Sequence, residues 1–194
     1  VDTSRNTPRT GAYYEATNRI GKSPENIKTF KSFVSPSDSQ LIVEAVDILI
    51  PDSLDIDPDN RRQIQVDDLP DNIKVMVKGY IDKALQTMKN EYRVDLEHSL
   101  DDHWIVKWSV GNDMTTHGDD AVISALQVSG VLYFSDGYEG GEIFFPQYDV
   151  AIKPGMGDLV IFPGNQSYLH GVKTIESGYR YSLPLWGQYV KTNQ

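Results

Sequence analysis

Leu159-Val160-Ile161-Phe162-Pro163-Gly164-Asn165-Gln166-Ser167-Tyr168-Leu169-His170-Gly171-Val172-Lys173 is the stretch that decides how the second half of this chain folds. A short apolar run stops at Pro163-Gly164-Asn165, where a locked φ, a residue without a side chain and a side-chain amide favour a tight reversal. A second β-prone run, Tyr168–Lys173, follows it. The same texture extends both ways. Upstream lie Trp104–Trp108, Val122–Phe134, Glu142–Phe145 and Asp149–Ile152; downstream lies Tyr179–Val190. Pro154-Gly155-Met156-Gly157 and Glu176-Ser177-Gly178 supply further connections.

The first half reads differently. Ser35 is placed to cap a helix, with Pro36 at its first position and Asp38 as an acid in its first turn, and the spacing predicts a helix over Pro36–Leu49. Ile73, Met76, Val77, Tyr80, Ile81, Ala84, Leu85, Met88 and Tyr92 recur at three and four, the stripe of a second, buried helix face. Pro51–Pro70, acidic and punctuated by proline, suits a loop or short edge strand, and Asp52–Asp71 is a candidate lid. Helices first and strands afterwards predict an α+β, mostly β domain. Its expected architecture is an antiparallel sandwich of jelly-roll (double-stranded β-helix) type with helices on one sheet. Residues 1–194 are expected to form a single domain, with an arm over 1–29, helical support over 30–100 and the jelly roll over 101–194. Tyr13, Tyr14 and Ile20 are candidates to lie against the core.

Composition narrows the function. Lys+Arg 18 against Asp+Glu 28 leaves a net charge of −10, which repels nucleic-acid phosphates and anionic membranes, so neither is an expected partner. The chain has no cysteine, so any metal must be held by nitrogen and oxygen. Apolar runs such as Val131–Phe134 are far shorter than a membrane span and no export signal is visible, which predicts a soluble, cytoplasmic protein; residue 1 is Val rather than Met. The sequence does not speak to oligomeric state.

His117-Gly118-Asp119 is the triplet with chemistry in it. In an extended segment residues two apart share a face, so both side chains can aim at one point, and a sandwich can bring His170 opposite them. Two histidines and one carboxylate occupy one face of an octahedral ferrous ion and leave three positions open. Taken singly, His-x-Asp is as readily a solvated turn, His170 a packed histidine and Arg180 a surface ion pair; joint occurrence is what favours the site. On the last run Arg180 and Ser182 share a face while Tyr181 and Leu183 take the other, an arrangement suited to clamping a carboxylate. His98 reads as a surface residue, His103 as a solvated strand entrance, and Gly140-Gly141 as a turn or close backbone approach.

From about Phe30 onward the chain resembles the iron(II)- and 2-oxoglutarate-dependent oxygenases, in particular their prolyl 4-hydroxylase-like branch. The resemblance runs in order through Phe33-Val34-Ser35-Pro36, Trp108, Gly111, His117-Gly118-Asp119 and Leu132-Tyr133-Phe134. It continues through Gly140-Gly141-Glu142, Phe145, Ile152-Lys153-Pro154, Gly157-Asp158, Phe162, His170-Gly171-Val172 and Gly178-Tyr179-Arg180. It implies iron held by His117, Asp119 and His170, and the far carboxylate of 2-oxoglutarate on Arg180 with help from Tyr133 and Ser182. Trp186 matches an aromatic beside the family's substrate pocket, a core tryptophan being an equal reading. Met114 stands where the family often has tyrosine, and Arg180 where many members have lysine, as it does in the oxygen-sensing hydroxylases.

The activity implied is hydroxylation of a C–H bond with dioxygen, releasing succinate and carbon dioxide, with ascorbate as a candidate reductant. Peptidyl proline in a protein substrate is the preferred target, and a free amino acid or other small molecule the alternative. A jelly-roll protein that binds metal without turnover and a cupin-like metal isomerase are the rival classes.

Overall fold

The computed structural model describes residues 20–51, 62–98, 102–121 and 126–190. Most of the expected arm over 1–29, including Tyr13 and Tyr14, therefore lies outside the described residues, as do residues 52–61 of the candidate lid.

Helix α1, Pro36–Leu49, begins at Ser35, whose hydroxyl accepts the Asp38 backbone N–H at 3.1 Å and satisfies one of the donors a helix start leaves over. Pro51 follows its end and disfavours a helical conformation at Ile50. Helix α2, Asp71–Tyr92, buries Ile73, Val77, Ile81, Ala84, Met88 and Tyr92, the stripe its periodicity predicts. Among the described residues no helix is long and apolar enough to cross a membrane.

The strands are β1 (Lys28–Phe30), β2 (Arg62–Gln65), β3 (Leu96–His98), β4 (Trp104–Trp108), β5 (Met114–His117), β6 (Leu126–Tyr133), β7 (Glu139–Gly140), β8 (Ile143–Phe145), β9 (Val150–Ile152), β10 (Leu159–Pro163), β11 (His170–Val172), β12 (Ile175–Ser177) and β13 (Arg180–Tyr189). A large antiparallel sheet runs β1-β10-β6-β13-β4-β2, with β3 also paired to β13. A smaller sheet runs β5-β11-β8-β9, and β7 pairs with β12. This is the expected jelly-roll architecture, with sheets that do not close into a barrel. β12 takes up Glu176 and Ser177, which the sequence reading assigned to a connection, and β2 takes the sheet edge. β5 carries no apolar alternation, because on the edge of the smaller sheet Thr115 and Thr116 are exposed.

Strand alternation sorts the large sheet into two faces. On β10, Leu159 and Ile161 join the core shared with α1 and α2, whereas Val160 and Phe162 join a second cluster with Tyr133, Ile143 and Phe145 between the sheets. On β13, Tyr181, Leu183 and Leu185 face the helices. Arg180, Ser182, Pro184 and Trp186 face the opposite way, onto a cavity. The helices thus cover one face with apolar packing and leave the other free to carry polar chemistry.

Candidate functional site

β5 and β11 pair with His117 directly opposite His170, so two histidines far apart in sequence become neighbours with ring centroids 4.5 Å apart. β5 ends at His117, and Asp119 opens a single 3-10 turn, Asp119–Ala121, instead of continuing the strand. The convergence expected from two residues on one strand face is reached by a turn. That turn is pinned by the Asp120 N–H donating to the Gly164 carbonyl at 3.0 Å, within the Pro-Gly-Asn reversal after β10. Gly118 leaves room for it, since a Cβ there would lie 2.7 Å from the Gln166 side-chain amide.

Asp119 Oδ1 lies 3.6 Å from His117 Nε2 and Oδ2 lies 3.8 Å from His170 Nε2; the potential ligand atoms of the trio are all within 4.8 Å of one another. His117 Nδ1 is 3.0 Å from the Thr115 carbonyl and His170 Nδ1 is 3.2 Å from the Tyr168 carbonyl. A carbonyl only accepts, so each Nδ1 carries the proton and each Nε2 turns its lone pair toward Asp119. Burial pushes the His170 imidazole below its ordinary value, with Asp119 opposing, which keeps it neutral. Burial raises the Asp119 carboxyl, but the imidazoles of His117 and His170, when they carry a proton toward it, and the hydroxyl of Ser129 outweigh it and hold the group below the usual carboxylate range. Two imidazole nitrogens and one carboxylate oxygen converging on a point, with no thiolate, is a donor set that fits a divalent transition metal.

The trio lines a cavity of about 230 Å³ whose wall also includes Arg180, Ser182, Met114 and Trp186. Arg180 is 1% exposed. Its guanidinium donates to Ser182 Oγ and to Tyr133 Oη, each at 3.3 Å, and lies 4.8 Å from the ring centres of both Trp108 and Tyr133. Among the described residues no carboxylate pairs with it, and Nε has no hydrogen-bond partner. A buried, unpaired cation is costly by several kcal/mol, so the site calls for an anion beside Arg180. Tyr133 supports the guanidinium without forming part of the cavity wall. Burial foremost raises its phenol, so it stays protonated.

Trp108 and Ser129 were not read from the sequence as site residues. Trp108 stands in register with Arg180 across β4 and β13 and donates Nε1–H to Ser182 Oγ at 3.0 Å. Ser129 donates to Asp119 Oδ2 from β6, and its only sequence signal is a hydroxyl set between Val128 and Gly130-Val131 in an apolar strand. His98 and His103 do not join the trio. They are half-buried and meet edge-on at 5.3 Å, and His98 Nε2 sits 3.2 Å from Asp82 Oδ1.

Gly140 and Gly141 bring backbone close to the site, both in the left-handed region at φ 70° and 68°. A Cβ on Gly140 would lie 2.0 Å from the Thr174 carbonyl oxygen, and one on Gly141 would lie 2.4 Å from Ile175 Cδ1 and 3.2 Å from Arg180 Cδ. Beyond Met114 and Val172, which line both spaces, an open groove of about 640 Å³ continues along Phe144, with Asp113, Glu139, Glu142 and Glu176 set against Lys173.

Residues 103–188 match the family model described as the 2OG-Fe(II) oxygenase superfamily. Prolyl 3-hydroxylase 2 of Rattus norvegicus is 36% identical over 63 residues, which cover 30% of this chain and 9% of that protein. The chain thus spans a small part of the length of the curated relatives it matches. The viral collagen prolyl hydroxylase of Paramecium Bursaria Chlorella virus-1, solved as its 2OG complex, superposes with a TM-score of 0.69 at 20% identity, covering 88% of this chain and 99% of that one. A Pseudomonas putida prolyl-4-hydroxylase gives a TM-score of 0.69 at 14% identity, covering 92% and 100%.

Proposed function

We propose that this chain, whose residues 103–188 match the model of the 2OG-Fe(II) oxygenase superfamily, is an iron(II)- and 2-oxoglutarate-dependent dioxygenase that hydroxylates peptidyl proline. The observation that carries the reading is the pairing, in one cavity, of a His-Asp-His trio with converging ligand atoms and a buried guanidinium that lacks an anion. A metal-binding protein without a cosubstrate has no use for the second feature.

His117, Asp119 and His170 would hold the iron, and Arg180 the far carboxylate of 2-oxoglutarate. Iron and 2-oxoglutarate, when bound, supply the oxidising power drawn from dioxygen, with succinate and carbon dioxide as co-products. The protein's own residues do the rest. Trp108, Tyr133 and Ser182 fix the guanidinium plane, and since Ser182 Oγ accepts from both Trp108 and Arg180 its own proton is left to donate. Phe162, Val131 and Ile143 line the cavity with hydrocarbon, which limits water around the trio. Met114 and Trp186 stand in the same wall, placed to contact the substrate.

Two features support an extended substrate over a free amino acid. The groove beyond Met114 and Val172 offers length that a single residue does not need. The names of the similar proteins, prolyl and collagen hydroxylases, point to the same class. Succinate release with iron(II) and 2-oxoglutarate, measured with and without proline-rich peptides and ascorbate, tests the proposal. Mass spectrometry should find one added oxygen on proline, and chromatography of the hydrolysate distinguishes the 3- from the 4-hydroxy product. Metal binding with no 2-oxoglutarate-dependent succinate under any of these conditions overturns it.

A further inference from the structure

We propose that Ser129 is a positioning residue for the carboxylate of Asp119, committing one carboxylate oxygen to the protein and leaving the other for the cation. The inference rests on reading His117, Asp119 and His170 as the iron site.

Ser129 is 1% exposed and sits on β6, a strand flanked on both sides by β10 and β13, in register with Phe162 and Trp186. Asp119 by contrast sits on a single 3-10 turn after the end of β5. The Ser129 Oγ–H bond to Asp119 Oδ2 therefore ties a short turn beside the smaller sheet to the middle of the larger one. An ionised carboxylate offers acceptors only, so the hydroxyl must be the donor. The terminal torsion of aspartate is soft and roughly two-fold, so an untethered carboxylate can swing either oxygen, or both, toward a cation. With Oδ2 engaged, Oδ1, which lies 3.6 Å from His117 Nε2, is the oxygen left uncommitted. A hydroxyl this deep costs free energy unless it is bonded, and here its partner is the one carboxylate of the trio.

The test compares Mn(II) and Fe(II) titrations of the full chain with those of Ser129→Ala, Ser129→Thr and Ser129→Val, alongside the visible spectra of the Co(II) forms. Thr keeps the hydroxyl and Val replaces it at nearly equal volume, so this pair carries the result even if Ala fails to fold. Loss of the hydroxyl should weaken metal binding by about 10- to 100-fold, the range for outer partners of metal ligands, and alter the Co(II) spectrum, while Thr restores both. Equal affinity in Thr and Val variants overturns the positioning role, whether both match the parent or both fall together. A parent chain that binds no divalent metal instead overturns the iron-site reading itself.

Discussion

His117 and His170 face each other across the β5–β11 ladder, so the distance between the two imidazoles is set by backbone register and not by a flexible loop. Replacing either by alanine removes one of three converging donors and leaves the other two in place. We expect His117→Ala and His170→Ala each to weaken divalent-metal binding by more than about 100-fold, beyond the loss typical of an outer partner. His98→Ala, whose ring sits against Asp82, should leave affinity unchanged. Titration with Mn(II) checks both, and a comparable loss in the His98 variant counts against the trio.

On the proposed reading Arg180 holds the far carboxylate of 2-oxoglutarate through a charge-assisted contact worth about 1.5–3 kcal/mol, so removing it should raise the apparent 2-oxoglutarate KM by about 10- to 100-fold. Metal affinity should hardly move, because the guanidinium donates to Ser182 and Tyr133 and not to the trio. Parallel titrations of Arg180→Ala with metal and with 2-oxoglutarate separate the two effects. Equal loss of both would place Arg180 in the metal site's support instead.

Much of this was legible in the sequence because it rests on local rules. Ser35-Pro36 marked the start of α1, the three-and-four spacing from Ile73 marked the buried face of α2, and period two on Arg180–Leu183 sorted side chains between helices and cavity. What was not legible depends on pairing. β5 has no apolar pattern because its neighbour β11, and not its own composition, makes it a strand. Asp119 converges with His117 through a turn anchored at Gly164, a contact no local pattern encodes. Trp108 and Ser129 join the site only through cross-strand register and a bond from the larger sheet to the Asp119 turn.

Gly141 holds a left-handed conformation against Ile175 and beside the Arg180 side chain. Gly141→Ala should cost about 1–3 kcal/mol of stability for the strained backbone and the displaced neighbours. Because one displaced neighbour is Arg180, the same variant should also raise the 2-oxoglutarate KM. Gly140→Ala meets a backbone oxygen instead of side-chain ends and should be the more destabilising of the two. Urea unfolding of both variants, with KM measured on Gly141→Ala, decides; an unchanged KM would separate the turn from the clamp.

Acid should act on the metal-free protein and on its metal affinity in the same direction but over identifiable windows. Burial above all, against the opposing charge of Asp119, leaves folded His170 with a lower pKa than an unfolded imidazole, whose ordinary value is about 6.5. Between those values the unfolded chain holds more protons, so stability rises with pH. The contribution of His170 is therefore complete above the ordinary imidazole value and is lost as pH falls through the lower folded one. Asp119, also held below its ordinary value, adds a second loss only at still more acid pH. Protons and metal compete for the same Nε2 lone pairs, so metal affinity should decline across the imidazole window too. Urea unfolding of metal-free protein between about pH 5 and 8 should show a slope that His170→Gln reduces; a slope unchanged in that variant assigns it to another histidine.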